Sequence, residues 1–286
     1  NRSELMADAS SVELDHCREL ALIHGSMFEF TSRFVQKTTL ERLLALYALR
    51  QAICTIPDSA ADDSVKWTRL KWWSEELIAE PGAPQRHPVL RALWTSGARA
   101  HLDNSLLLSM VGDALSEIDA PPDQDESTFF DRQAGLGATD IQLELALDDS
   151  DTDSQSLGFL GAATASFRFI SSFQGYRCAG VTRLPLSMLA EHNVSVEQLK
   201  QESHKSTLIR IIEQLAGNAL DWYSKGYGGL NADQPGPAST HLQLRLALEN
   251  RRLKTIRRSA TEFMESGRIF GPAAAWFAWR FLRKLR

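Results

Sequence analysis

The sequence is poor in cysteine and has no long apolar run. Its three cysteines, Cys17, Cys54 and Cys178, lie far apart and form no CxxC pair. This spacing excludes a disulfide framework and a sulfur-rich metal site, and it favours a reducing compartment. A run of about 18 apolar residues is absent, and residues 1–11 lack the charged-then-apolar order of a signal peptide. We therefore expect a cytoplasmic protein without a membrane span.

Catalytic motifs with strong local signatures are also absent. The sequence contains no GxSxG, P-loop or HExxH motif, so it offers no anchor for α/β-hydrolase, nucleotide-hydrolysing or zinc-protease chemistry. Charged residues make up 23% and the formal net charge is −5, which indicates neither a disordered chain nor a nucleic-acid partner. With 286 residues, of which 43% are hydrophobic, the chain can bury a substantial core.

The charge is unevenly distributed along the chain. Residues 251–286 hold ten Lys and Arg residues and two acids, a net charge of +8 that leaves −13 on the other 250 residues. A basic amphipathic helix is predicted over residues 272–286, after Gly271-Pro272. Its expected apolar stripe is Phe277, Phe281, Leu282 and Leu285, with Trp276 and Trp279 at interfacial positions. Its cations are Arg280, Arg283, Lys284 and Arg286. This helix either closes the core or docks on an anionic membrane surface or an acidic partner.

Apolar periodicity predicts an all-α chain. One stripe at helical spacing consists of Leu40, Leu43, Leu44, Tyr47, Ala48 and Ile53. Thr38 and Glu41 form a capping box before it, and Ser195 and Gln198 form another. Further helices are predicted over residues 12–24, 26–36, 64–79, 88–117, 127–147, 155–175, 205–225, 239–267 and 272–285. The Pro-, Gly- and Asp-rich breaks between them are too short to separate domains, so we predict one helical bundle over residues 1–286.

Four tryptophans crowd one stretch of the sequence. They are Trp67, Trp72, Trp73 and Trp94. Trp73 joins Leu70 and Leu77 in a helical stripe. Core packing is one interpretation of these rings, and the lining of an apolar ligand cavity is the other.

Three acids follow the Leu40–Ile53 stripe. Asp58 and Asp62 are four residues apart, and Asp63 is next. On a helix this spacing would put two carboxylates on one face, where they repel each other unless a cation bridges them. Pro57 should interrupt a helix at this point. Asp58 is therefore expected to cap a helix or to form a salt bridge, with ligand binding as the alternative.

Several segments together resemble the squalene/phytoene synthase family. They are His24-Gly25-Ser26-Met27-Phe28, Leu43–Leu49, Arg69-Leu70-Lys71-Trp72-Trp73, Arg183-Leu184-Pro185-Leu186 and Leu189–Ser195. The likeness spans roughly residues 20–285. It implies an isoprenoid synthase fold, in which helices surround a central apolar cavity. It also implies head-to-head condensation of two prenyl diphosphates, with Mg²⁺ held between two helices that each carry Asp at i and i+4. The metal stabilises the charge of the diphosphate leaving group.

The sequence departs from the family at both aspartate motifs. Without gaps, the first motif falls on Cys54 and Asp58 and the second on Ser172 and Tyr176, so one carboxylate of four remains. Thiols and hydroxyls are poor Mg²⁺ ligands. We therefore expect a catalytically degenerate member with no cofactor. The residues expected to contact a ligand or phosphate are His24, Phe28, Asp62, Asp63, Arg177 and Arg183.

Two functions are compatible with these residues. Short segments such as Pro57-Asp58-Ser59 and His87-Pro88-Val89 resemble most the aspartate-poor phytoene-synthase-like assembly factor of respiratory complex I. This likeness implies a lipid-binding or assembly protein on the inner membrane, with a respiratory complex subunit as its client. The alternative is a working Mg²⁺-dependent prenyltransferase with displaced ligands at Asp58, Asp62 and Asp63, in which Arg177 or Arg183 binds phosphate.

Overall fold

The computed structural model describes residues 2–79, 86–118, 120–173, 183–230, 236–266 and 270–285, with side chains from residue 12 onward except that of Ser266. Across these ranges the regular elements are α-helices and short 3₁₀ helices, without a β-strand. The first helices are α1 (Arg2–Ala21), α2 (Met27–Thr31), α3 (Lys37–Cys54), α4 (Asp63–Leu77), α5 (Pro88–Thr95) and α6 (Asn104–Ser116). Next come α7 (Glu126–Ala146), α8 (Ser154–Ser171), α9 (Leu186–Glu191) and α10 (Val196–Leu199). The last are α11 (Lys205–Gly226), α12 (Pro237–Arg258), α13 (Ala260–Ser266) and α14 (Pro272–Leu285).

The chain divides into two compact units. The first contains Asn1–Ala120, Gln142–Asp151 and Gln234–Leu242. Within it α3 packs against α1, α5 and α6, and α4 packs against α6. The fully buried side chains of α3 include Leu43, Leu44, Leu46, Leu49 and Ile53. Burying a side chain of this type contributes about 1.5–3 kcal/mol, so α3 is the central helix of this unit.

The second unit contains Pro121–Ile141, Thr152–Asp233 and Gln243–Arg286. Within it α8 packs against α11. Small residues permit close packing here. A Cβ atom on Gly226 would lie 2.8 Å from the backbone oxygen of Ser156, and Gly137 of α7 lies directly against the backbone of Gly161 in α8. Both contacts depend on the absence of a side chain.

The predicted all-α class is confirmed, with corrections at the helix ends. Thr38 does not cap α3, because the helix already begins at Lys37, after Gln36. The helix predicted over residues 88–117 is broken at Gly97, which has a φ of 76°, and restarts after the cap of Asp103. The helix predicted over residues 239–267 divides into α12 and α13. The capping box of Ser195 and Gln198 is confirmed.

Candidate functional site

The positions at which the resemblance places the first motif lie at and beyond the end of a helix. Cys54 is the last residue of α3, and its side chain is exposed. Asp58 lies beyond the helix in an exposed turn, where the N–H of Ser59 donates to the carbonyl oxygen of Ile56 at 3.1 Å. Two residues at i and i+4 share a face only while the helix continues. Cys54 and Asp58 therefore do not form a pair of facing ligands on one helix.

The neighbouring acids do not extend a helical ligand pair either. Asp62 is the exposed N-cap residue of α4, four residues after Asp58. The helix cap or salt bridge expected of Asp58 stays a prediction. Asp63 is the first residue of α4, and its carboxylate accepts from Lys66 Nζ at 3.0 Å. In the described part of the chain, no group of three or more His, Cys, Asp or Glu side chains could hold a metal ion. These donors do not fit the Mg²⁺ cluster that the resemblance implies.

Ser172, where the resemblance places the start of the second motif, also lies at a helix end. Ser172 is the exposed C-cap residue of α8, and its hydroxyl donates to the carbonyl oxygen of Phe169 at 2.7 Å. Tyr176 and Arg177 lie outside the described residues. Arg183 is half-buried, and its backbone oxygen accepts from Arg132 at 3.5 Å. Residues 154–190 contain no acid in the sequence, so this segment offers no carboxylate to a metal.

A cation lies one helical turn before Ser172. The guanidinium of Arg168 in α8 forms an ion pair with Asp140 of α7. Asp140 is buried, whereas the Arg168 side chain is 40% exposed. The charged group that α8 presents at this end is therefore a guanidinium neutralised by a protein carboxylate. Neither residue was identified from the sequence.

The segment His24–Phe28 is fixed by local hydrogen bonds. Gly25 has a φ of 78°, a left-handed conformation that glycine adopts readily. Ser26 caps α2 by accepting from the N–H of Glu29 at 3.0 Å, and the Gly25 N–H donates to the Glu29 carboxylate at 2.7 Å. The bond from Gly25 lowers the pKa of Glu29. His24 is exposed and Phe28 is buried, so this turn directs Phe28 into the core of the first unit.

Phe28 contacts a buried polar network in the first unit. Its ring stacks on Tyr47 with centroids 3.8 Å apart. The Tyr47 hydroxyl donates to Glu144 Oε1 at 2.7 Å. Glu144 Oε2 lies 3.0 Å from His241 Nδ1, and His241 Nε2 lies 2.9 Å from the Thr31 hydroxyl. We call these four polar side chains, Thr31, Tyr47, Glu144 and His241, the Glu144 network.

The Glu144 network has the order hydroxyl, imidazole, carboxylate that nucleophilic enzymes use. Burial argues against that chemistry, because the side chains of Glu144 and His241 are 0% exposed. The Thr31 hydroxyl also lies 3.0 Å from the Met27 carbonyl oxygen and is inaccessible to a substrate. The network instead pairs polar groups that would be costly to bury alone, and it holds Tyr47 against Phe28.

A second buried polar network lies in the second unit. Arg245 Nη1 donates to Glu249 Oε1 at 2.9 Å, and the Thr164 hydroxyl donates to Glu249 Oε2 at 2.9 Å. Neither network is predicted above from the sequence, although the sequence contains a signal for both. Polar residues repeat every four positions in α12, as His241, Arg245 and Glu249. The residues between them include the buried side chains of Leu242, Leu244, Leu246 and Leu248. Asp140 and Glu144 repeat in the same way in α7.

The crowded tryptophans have different environments. Trp73 is buried, and its ring lies 5.0 Å from that of Trp72 and 4.8 Å from that of His87. Burial lowers the pKa of His87. Trp67 and Trp94 are exposed. Core packing therefore explains Trp73, and the exposed rings of Trp67 and Trp94 do not line an interior cavity within the first unit.

Comparison with known proteins identifies the class. Residues 23–273 match the family model described as Squalene/phytoene synthase. Because this match covers most of the sequence, the chain belongs to the squalene/phytoene synthase family. No curated protein sequence matches the chain.

Solved structures similar to it include two synthases. Squalene synthase HpnC from Alicyclobacillus acidocaldarius is 17% identical, with a TM-score of 0.68 over 87% of this chain and 94% of that one. A dehydrosqualene synthase in complex with a ligand is 13% identical, with a TM-score of 0.70 over 96% of both chains. At these identities the likeness establishes the fold, and the predicted isoprenoid synthase fold is confirmed. The described helices include none with the length and apolar character needed to cross a membrane.

Proposed function

We propose that this chain is a catalytically degenerate member of its family that binds a prenyl or other isoprenoid lipid without condensing it. The observation that carries the proposal is that α3 ends at Cys54, so the surviving acid Asp58 is no longer on the helix that would present it. The second motif contributes no carboxylate in the sequence. Ionising a prenyl diphosphate requires cations to stabilise the leaving group. Within the described ranges, no group of three or more His, Cys, Asp or Glu side chains could hold Mg²⁺, which supports the proposal, while the family's fold is retained.

The partners we propose follow from the same assignment. The resemblance to the complex I assembly subgroup makes a respiratory complex subunit the proposed client. An anionic membrane surface is the second proposed partner, because α14 carries the exposed cations Arg280, Arg283 and Lys284. Arg286 lies outside the described residues. This combination corresponds to a cytoplasmic protein peripheral to the inner membrane.

Turnover of farnesyl or geranylgeranyl diphosphate tests the absence of catalysis. We expect the purified protein to release no diphosphate with Mg²⁺ present, while a squalene synthase assayed in parallel does so. Farnesyl diphosphate or squalene should nevertheless raise the melting temperature of the protein, with or without EDTA, because bound ligand stabilises the folded state. Mg²⁺-dependent diphosphate release that disappears in Asp58→Asn or Asp62→Asn would instead establish an enzyme with displaced ligands.

Asp58→Asn separately tests the surviving acid. Because Asp58 lies in an exposed turn, we expect the free energy of unfolding to change by about 1 kcal/mol or less. The midpoint for isoprenoid binding should stay the same. Urea unfolding and a ligand titration measure the two quantities. A tenfold loss of affinity at an unchanged melting temperature would contradict this expectation and assign Asp58 a role in binding.

A further inference from the structure

Helix α14 exposes two tryptophans on its outer face. Trp276 is 57% exposed and Trp279 is 52% exposed. They are three residues apart and lie on one face of the helix. The guanidinium of Arg280 lies 5.2 Å from the Trp276 ring centroid, and that of Arg283 lies 4.7 Å from the Trp279 centroid. We call these four residues the Trp/Arg face.

The opposite side of α14 packs within the second unit. Ala278 is fully buried, and Phe277 and Phe281 are half-buried. The guanidinium of Arg251 in α12 lies 5.0 Å from the Phe277 ring centroid. The Phe and Leu stripe therefore faces the protein, and the tryptophans are left for solvent or a partner. The sequence leaves open whether that stripe closes the core or docks on a partner, and the packing of Phe277 and Phe281 corresponds to the first alternative.

The charge of helix α14 itself has one sign. Helix α14 contains no Asp or Glu. The contact between Arg251 and Phe277 joins α14 to α12, where Lys254 and Arg258 are exposed on the same side as Arg251. The surface of the second unit thus combines two exposed indoles with cations from two helices.

We propose that the Trp/Arg face is the surface by which this protein binds an anionic lipid bilayer. This inference rests on the proposed function in one respect, the anionic membrane surface proposed there as a partner. Indole rings favour the headgroup level of a bilayer, where one edge is apolar and the other is hydrated. Cations beside them gain from the negative surface potential of anionic lipids. Helix α14 has no Ser, Thr, Asn or Gln side chain, so the face relies on indole contact and diffuse charge, which suits a lipid surface better than directional hydrogen bonding to a protein.

Co-sedimentation of the full chain with vesicles tests the proposal. We expect binding to phosphatidylcholine vesicles that contain phosphatidylglycerol, little binding to phosphatidylcholine alone, and release at high salt because salt screens the attraction. Trp276→Ser with Trp279→Ser should weaken binding several-fold. Trp67→Ser is the matched control, since Trp67 is 51% exposed on α4 in the other unit. It should leave vesicle binding unchanged.

The charge contribution has its own matched pair. Replacing Arg280, Arg283 and Lys284 by Gln should lower vesicle affinity by about tenfold or more. Replacing the exposed Lys37, Arg69 and Lys71 by Gln removes the same charge elsewhere and should have little effect.

Circular dichroism melting establishes that each variant is folded. Absence of binding by the folded wild type, or equal losses in both charge variants, overturns the proposal. So does binding to polyglutamate without binding to vesicles, which would indicate an acidic protein partner. None of these results changes the outcome of the turnover assay, so failure of membrane binding is distinguishable from failure of the proposed lack of catalysis.

Discussion

Glu144→Ala is expected to lower the free energy of unfolding by about 3–5 kcal/mol, because it leaves buried polar groups without their partner and opens a cavity in the core. Glu144 accepts from Tyr47 and lies 3.0 Å from His241 Nδ1. Without the carboxylate, a fully buried imidazole loses its partner and a cavity remains. Because domains are stable by only about 5–15 kcal/mol, this single change should remove much of the stability. Urea unfolding followed by circular dichroism measures it.

Two variants separate the network from a general effect of substitution in α7. Glu144→Gln keeps the volume and an acceptor for Tyr47, so we expect a smaller loss of about 1–2 kcal/mol. Asp131→Ala removes an exposed acid from the same helix and should change stability by about 0.5 kcal/mol or less. Equal effects of Glu144→Ala and Asp131→Ala would mean that the Glu144 network does not stabilise the fold.

Gly137→Ala is expected to destabilise the protein by about 3 kcal/mol or more, because no space exists for a methyl group between α7 and α8. A Cβ atom on Gly137 would overlap the carbonyl oxygen of Gly161. A substitution on the facing helix meets the same obstacle, since a Cβ atom on Gly161 would lie 2.7 Å from the backbone oxygen of Ala134. Backbone atoms cannot turn away as a flexible side chain can, so the helices would have to separate.

Gly135→Ala is the matched control on α7. Nothing lies within 4 Å of a Cβ atom at Gly135, and alanine is favoured over glycine inside a helix. This variant should therefore gain about 0.5–1 kcal/mol of stability. Chemical unfolding should show a lower free energy of unfolding for Gly137→Ala and a higher one for Gly135→Ala. A Gly137→Ala protein as stable as the wild type would contradict the close approach of α7 and α8.

The sequence by itself predicts most of the helices. Apolar spacing in segments such as Leu40–Ile53 depends only on the helical period, which is a local property of the chain. The replacement of carboxylates by Cys54 and Ser172 stays a prediction, because it depends on the resemblance to the family's motifs. Helix ends are less predictable, because a pattern such as Thr38 and Glu41 is compatible with a cap but does not fix where the helix begins. Gln36 precedes α3 instead, since the helix begins two residues earlier than a Thr38 cap would place it.

Only the tertiary structure determines which buried polar groups pair and which faces remain exposed. Glu144 and His241 are 97 residues apart in sequence, and Thr31 and His241 are 210 apart. The contact between Gly137 and Gly161, and the outward direction of Trp276 and Trp279, also arise from helix packing. Sequence periodicity identifies a polar position on an apolar helix, but a hydrogen bond forms only between atoms about 3 Å apart. That separation is set by the way the helices pack, so the partners of Glu144 and the exposure of the Trp/Arg face follow from the fold.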